Sequence, residues 1–238
     1  MKLFIPKQHG AWAMLIIPFW LGVIATHFIW QHIPLFFGWL LLYLATYPTL
    51  LLFKGKKISY YTKWALIYFV PAFLLLLIPL WTNPTIIYFG IAMIPLFIIN
   101  AYYSKQKDDR ALLNDISAIF SFSIAGLASG YLAINSINHA TFLIFIASIL
   151  FFIGTTFHVK TIIRERKNII YKRISWLYHI IVPIIWVVLG YWIIALAFVP
   201  SLLRALYFYG KPLKMMQSGI IEIINAAIFF VLMIIAVV

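Results

Sequence analysis

The feature that most constrains this chain is the placement of its positive charges. Long uncharged apolar runs alternate with short polar segments, and all 18 Lys and Arg residues fall in five of those segments. The five segments are 1–10, 54–63, 104–115, 158–173 and 204–218. A hydrocarbon core about 30 Å thick is crossed by about 20 residues of helix, which is close to the length of the intervening runs. The alternation therefore predicts a chain that crosses a bilayer repeatedly.

The overall composition supports the same class. Hydrophobic residues make up 65% of the chain and charged residues only 10%, whereas soluble domains carry about 25% charged residues. Long runs of Leu, Ile and Phe favour helices over a barrel, whose strands would alternate apolar and polar residues. The absence of Cys excludes disulfides, thiolate chemistry and Cys-ligated metals. A net charge of +13 would suggest nucleic acid in a soluble protein, but here we expect no nucleic-acid partner.

We predict an all-α membrane protein, a bundle of about nine transmembrane helices in a single polytopic domain over residues 1–238. The predicted spans are Ala11 to Trp30, Pro34 to Phe53, Trp64 to Leu80, Ile86 to Tyr103, Ile116 to Ile134, Thr141 to Phe157, two within 174–209, and Gly219 to Val238. One helix over 174–209 would be about 54 Å long, far longer than a bilayer core. We therefore expect a break near Gly190.

The charge bias predicts the orientation of the bundle. Lys and Arg accumulate in cytoplasmic loops, so the basic segments are expected on the cytoplasmic side of the inner membrane. The N-terminus is then cytoplasmic and the C-terminus lies outside. Without a break near Gly190, Arg204, Lys211 and Lys214 would fall on the wrong side.

The loop after the sixth span is the densest polar stretch in the chain. If its first part continues the preceding helix, Lys160, Arg164 and Lys167 share one face, and His158 and Glu165 share another. Such a cluster is typical of a cationic site for phosphate or carboxylate. The same cluster also serves as a topological anchor with no other role. The sequence leaves both interpretations open.

The loops after spans 4 and 6 resemble each other. Asp109-Arg110 follows a span that ends near Asn100, and Glu165-Arg166 follows a span that ends near His158. This is either an internal repeat or a coincidence. His9 lies just before span 1, on the same side of the membrane as these loops. Together they are predicted to form the cytoplasmic opening of the bundle, where an anionic ligand would bind. Its candidate residues are His9, Asn100, Asp109, Arg110, His158, Lys160, Arg164, Glu165 and Arg166.

Arg204 and Glu222 are predicted to form a structural ion pair. Arg204 stands in the last turns of span 8, and Glu222 stands about one turn inside span 9. A charged side chain in hydrocarbon costs on the order of 2.5–3.5 kcal/mol on insertion scales, so pairing relieves a penalty on both sides.

The segment PKQHGAWAMLIIPFWLG (Pro6 to Gly22) resembles the opening of the YwiC-like family of bacterial membrane proteins. The later segments INAYYSKQKDDRALLND and FHVKTIIRERKN fit the same family. The resemblance implies a multipass bacterial membrane protein of unestablished function and assigns no chemistry.

Nine spans with polar cytoplasmic loops are also similar to the UbiA-type intramembrane prenyltransferases. That resemblance implies two Asp-rich motifs, after spans 2 and 6, that hold magnesium on a prenyl diphosphate. Here FKGKKISYYTK follows span 2 without an acid, and the loop after span 6 has only Glu165. A divergent transferase would have to use Asp108, Asp109 and Glu165 as a sparse magnesium site.

The leading hypothesis is binding of an anionic lipid or phosphate-bearing ligand at the basic cytoplasmic face. The bilayer itself is the expected partner, with an anionic or isoprenoid lipid as the possible ligand, and the sequence identifies no protein partner. No cofactor is expected, apart from magnesium if the prenyltransferase alternative holds. A small-solute transporter is the third alternative, suggested by interior prolines and by Glu222.

Overall fold

The computed structural model describes residues 4–6, 9–55, 57–211, 213 and 215–238, without the side chains of His9 and Met215. Across these residues the chain forms nine α-helices, one 3-10 turn and no β-strand, so the all-α prediction is confirmed. The helices are α1 (His9–Ile24), α2 (His32–Leu52), α3 (Ile58–Thr82), α4 (Ile87–Lys105), α5 (Leu112–Ile134), α6 (His139–Ile163), α7 (Ile169–Val188), α8 (Trp192–Tyr207) and α9 (Met215–Val237). The 3-10 turn, Pro84–Ile86, precedes α4.

The predicted break near Gly190 is confirmed. Helix α7 ends at Val188 and α8 begins at Trp192. Gly190 has a φ of +85°, in the left-handed region that glycine adopts without a steric penalty. Residues 174–209 are therefore divided between two helices, whereas a single helix over this stretch would be longer than a bilayer is thick.

Six helices of the described chain, α2 to α6 and α9, are long and apolar enough to cross a membrane, and α1 and α8 are shorter apolar helices. The outer surface is apolar as well. On α3, for example, Leu66, Phe69, Val70, Phe73 and Leu74 are each half exposed or more. Contiguous apolar surface of this kind is rare on soluble monomers. The fold is that of a multi-pass membrane protein.

Helix α1 packs closely against α5, because small residues line their crossing. A Cβ added at Gly126 would stand 2.6 Å from the Pro18 carbonyl oxygen, so only glycine is accommodated there. The Ser129 hydroxyl donates to the Phe19 carbonyl at 2.7 Å. Small residues and interhelical hydrogen bonds of this kind let helices associate in an apolar environment. They place α1 in the interior of the bundle.

Neighbouring helices pack antiparallel, as contacts between α1 and α2, α7 and α8, and α8 and α9 show. The ends that carry the described Lys and Arg residues therefore meet at one end of the bundle, which we call the charged end. Among the described residues, the opposite end is polar and carries no Lys, Arg, Asp or Glu. There Asn83 donates to Asn135, and the Tyr191 hydroxyl lies 3.0 Å from the His139 ring.

Candidate functional site

Lys160 is buried at the charged end and joins α6 to the start of α5. Only 8% of the residue is exposed. Its ammonium group lies 3.0 Å from the Asp115 carboxylate and donates to the Arg110 carbonyl at 2.6 Å. The charge of Lys160 is therefore balanced by partners inside the protein and is not available to a ligand at the surface.

A second network holds the turn between α4 and α5. The Asn100 amide donates to the Asn114 side-chain oxygen at 2.8 Å and to the Ser117 hydroxyl at 2.7 Å. Asn114 in turn donates to the Asp109 carbonyl, and the Asp109 carboxylate pairs with Lys54 in the turn after α2. Asn100 and Asp109 thus have structural partners.

The face expected for Lys160, Arg164 and Lys167 is not formed, because the helix on which that expectation depended does not continue as far as Arg164. Helix α6 ends at Ile163, and Asn168 then caps the start of a new helix by accepting from the Ile170 N–H at 3.0 Å. Beyond this end Arg164 and Lys167 are exposed while Lys160 is buried.

His158 and Glu165 are separated for the same reason. His158 is 1% exposed and faces the bundle interior. Glu165 lies in the turn after α6, where its carboxylate accepts from the Asn168 amide at 2.8 Å. The two residues therefore belong to different environments.

Four exposed cations follow the end of α6. Arg164, Arg166 and Lys167 lie in the loop between α6 and α7, and Arg173 lies near the start of α7. Within the described part of the chain, none of the four lies within ion-pair distance of a carboxylate. Arg110, in the preceding charged loop, is exposed as well.

Arg204 and Glu222 lie together inside the bundle, and His158 joins them. The Arg204 guanidinium contacts the Glu222 carboxylate, and the His158 ring nitrogen Nε2 lies 3.7 Å from the other carboxylate oxygen. The Arg204 side chain is 4% exposed and that of Glu222 13%. Three helices, α6, α8 and α9, therefore meet at one polar contact. Sequence reasoning missed the role of His158 here, although its depth from the charged end matches that of Glu222.

His179 and Thr155 extend this contact, and sequence reasoning singled out neither. The His179 Nδ1–H donates to the Ser175 carbonyl at 2.7 Å, and its Nε2 packs against α6, where a Cβ on Gly154 would come within 3.2 Å. Thr155 lies beside Glu222. We call Thr155, His158, His179, Arg204 and Glu222 the polar layer.

Several hydrogen-bonding groups of the polar layer are unpaired within the described chain. Among the described residues, the Arg204 Nε and Nη2 groups and His179 Nε2 have no hydrogen-bond partner. An unsatisfied buried polar group costs about 1–3 kcal/mol, so proteins rarely retain several together without a reason.

The residues of the sparse magnesium site are not brought together. Asp109 pairs with Lys54, and Glu165 lies in another loop with Asn168. Among the described residues, no three His, Asp or Glu side chains are placed to share a metal ion. His9 begins α1, but its side chain lies outside the described residues.

We predict that Arg204 and Glu222 are energetically coupled. Arg204→Ala or Glu222→Ala leaves a buried charge unpaired, which costs about 3–5 kcal/mol, and the double mutant should recover about 1–3 kcal/mol of coupling energy. Unfolding in detergent of the two single mutants and the double mutant measures this energy. The control is the more exposed pair Lys54 and Asp109, for which about 0.2–1 kcal/mol is expected. A coupling below about 0.5 kcal/mol at Arg204 and Glu222 would contradict the assignment.

Comparison with known proteins identifies the family. The profile described as YwiC-like protein matches residues 5–130. The chain is 44% identical over 233 residues to a protein of Bacillus subtilis named Uncharacterized protein YwiC, with 98% of both chains covered. It is 43% identical over 236 residues to an uncharacterized protein of Haemophilus influenzae, with 99% of both chains covered. No solved structure matches it. The chain belongs to the YwiC-like family.

Proposed function

We propose that the chain crosses the inner membrane nine times, with its N-terminus and the charged end in the cytoplasm and its C-terminus outside. The charged end gathers the described Lys and Arg residues, and the opposite end has polar contacts without Lys or Arg. A bias of Lys and Arg to one side sets the orientation of polytopic proteins. The separation of charge between the two ends supports this orientation.

Single cysteines test the orientation cleanly because the chain has no Cys of its own. Lys105 stands at the charged end, and Ile137 is exposed at the other. In intact spheroplasts, a membrane-impermeant maleimide should label Ile137→Cys and leave Lys105→Cys unlabelled until the cells are lysed. Labelling of Lys105→Cys in intact spheroplasts would contradict the proposal and show that the charged end lies outside the cell.

The charged end is proposed to bind an anionic lipid headgroup or a phosphate-bearing ligand. The observation that carries this proposal is the set of exposed cations after α6, which have no carboxylate within ion-pair distance among the described residues. A guanidinium presents a planar fork of donors that matches phosphate oxygens. Arg164 and Arg166, two residues apart, supply two such forks in one turn.

Electrostatics at the membrane surface favour the same function. Each Lys or Arg near an anionic leaflet contributes about 1 kcal/mol of attraction, and the chain has a net charge of +13. Lys160 is excluded from this surface by its burial and its partners. The ligand is therefore expected to meet the arginines of the loop and not the lysine inside the bundle.

The double variant Arg164→Gln/Arg166→Gln should weaken binding of phosphatidylglycerol by about tenfold or more, since each arginine contributes about 1 kcal/mol. Binding to the detergent-solubilised protein is measured for phosphatidylglycerol and phosphatidylcholine. The control is Lys57→Gln/Lys63→Gln, which removes the same charge from exposed residues just before and within the first turns of α3 and should have a smaller effect. Equal binding of the two lipids by the unmodified protein would disprove the function.

A small-solute transporter is a second candidate, and the polar layer favours it. Glu222 stands among apolar helices with Arg204 on one side and His158 on the other. Intramembrane ionisable residues commonly mark ion or proton pathways. The layer spans four helices, α6 to α9, whose side chains exchange partners during a transport cycle in this candidate function.

For this candidate, proteoliposomes with internal pyranine should acidify faster than protein-free liposomes under an imposed pH gradient. Glu222→Gln should slow that rate by about tenfold, because it removes the carboxylate of the pathway. Asp109→Asn is the control, since it neutralises a half-exposed carboxylate at the same end. A rate equal to that of protein-free liposomes would exclude proton transport.

A further inference from the structure

A groove of about 390 Å³ runs between α8 and α9 on the outer surface of the bundle. Its walls are mostly aliphatic, and they include Pro200, Leu203, Ile221, Ile224 and Ile228. A surface of this kind in a membrane protein faces lipid chains. Two other features distinguish the groove from the rest of the lipid-facing surface.

The first feature is a cation at one end. Tyr207 lines the groove, and the Lys211 ammonium group lies 3.1 Å from the centre of its ring. A turn brings Lys211 back over the tyrosine, with Gly210 at a φ of +76° and the Lys211 N–H donating to the Phe208 carbonyl at 3.2 Å. Cation–π contact with an aromatic ring stabilises such a placement.

The second feature is a buried guanidinium in the wall. Arg204 lines the groove, with its side chain only 4% exposed. Its Nε and Nη2 groups have no hydrogen-bond partner among the described residues. Asn225, which also lines the groove, is by contrast satisfied, because it donates to the Ser201 hydroxyl at 3.0 Å. Unused donors therefore lie just behind the groove wall, about one helical turn from Tyr207 and its cation.

We propose that this groove binds one anionic phospholipid of the surrounding membrane. One acyl chain lies along the aliphatic wall, the phosphate meets Lys211, and Arg204 turns towards the groove to donate to an ester oxygen between them. The order of apolar wall, unused donor and cation matches the order of chain, ester and phosphate in such a lipid. The inference rests on the proposed anionic-lipid function and gives it a second position, away from the loop after α6.

The test counts lipids retained by the full-length protein in mild detergent, by native mass spectrometry, during titration with phosphatidylglycerol, phosphatidylcholine or inorganic phosphate. Ile224→Trp should fill the groove and abolish one retained phosphatidylglycerol, and Leu203→Trp should do the same from the opposite wall. The control Ile94→Trp changes an isoleucine of equal exposure on α4, 54% against 55%, and should retain the lipid. Lys211→Gln should weaken retention about fivefold, and Lys105→Gln should not.

The outcomes separate this site from the function on which it rests. Retention that survives both tryptophan variants but falls in Arg164→Gln/Arg166→Gln overturns the groove and keeps the function. Equal retention of phosphatidylglycerol and phosphatidylcholine overturns both. Displacement of phosphatidylglycerol by millimolar inorganic phosphate shows a free-phosphate site and overturns the lipid assignment.

Discussion

The structure is constrained throughout by the small number of acidic residues available to pair with many basic residues in an apolar protein. There are 18 Lys and Arg residues against five Asp and Glu, and a charge in hydrocarbon needs a partner or access to water. Three acids each pair with a different cation and join different helices. These pairs are Lys54 with Asp109, Lys160 with Asp115, and Arg204 with Glu222. Acids are therefore used to hold the bundle together, and the surplus of positive charge is left at one end.

This division gives neighbouring residues opposite roles. Lys160 and Arg164 are one helical turn apart in sequence, yet the first is a buried structural cation and the second is exposed. The difference arises because α6 ends at Ile163, so its last turn faces the bundle while the next residues turn towards the solvent. A dense run of basic residues thus contains both an internal support and the surface that we propose binds anions.

Arg204 connects the interior with the membrane-facing surface. On one side it contacts Glu222, near His158 and its layer of polar groups, and on the other it lines the groove between α8 and α9. A guanidinium has five donors in a rigid fork, enough to serve both sides at once. A lipid in the groove would complete the hydrogen bonding of a residue that already holds two helices together.

The sequence by itself determined the properties that depend on run length and composition. Apolar runs of spanning length specify the helices, the excessive length of 174–209 requires the break at Gly190, and the segregated charge determines which helix ends meet. The sequence also indicated that Arg204 and Glu222 lie at the same distance from the cytoplasmic ends of adjacent spans. Only the tertiary structure decided that His158 turns inward to Glu222 and that Lys160 is buried. These outcomes depend on how each helix is rotated about its axis and on which helices lie next to it. The sequence does not specify either property, because a membrane helix is apolar on every side.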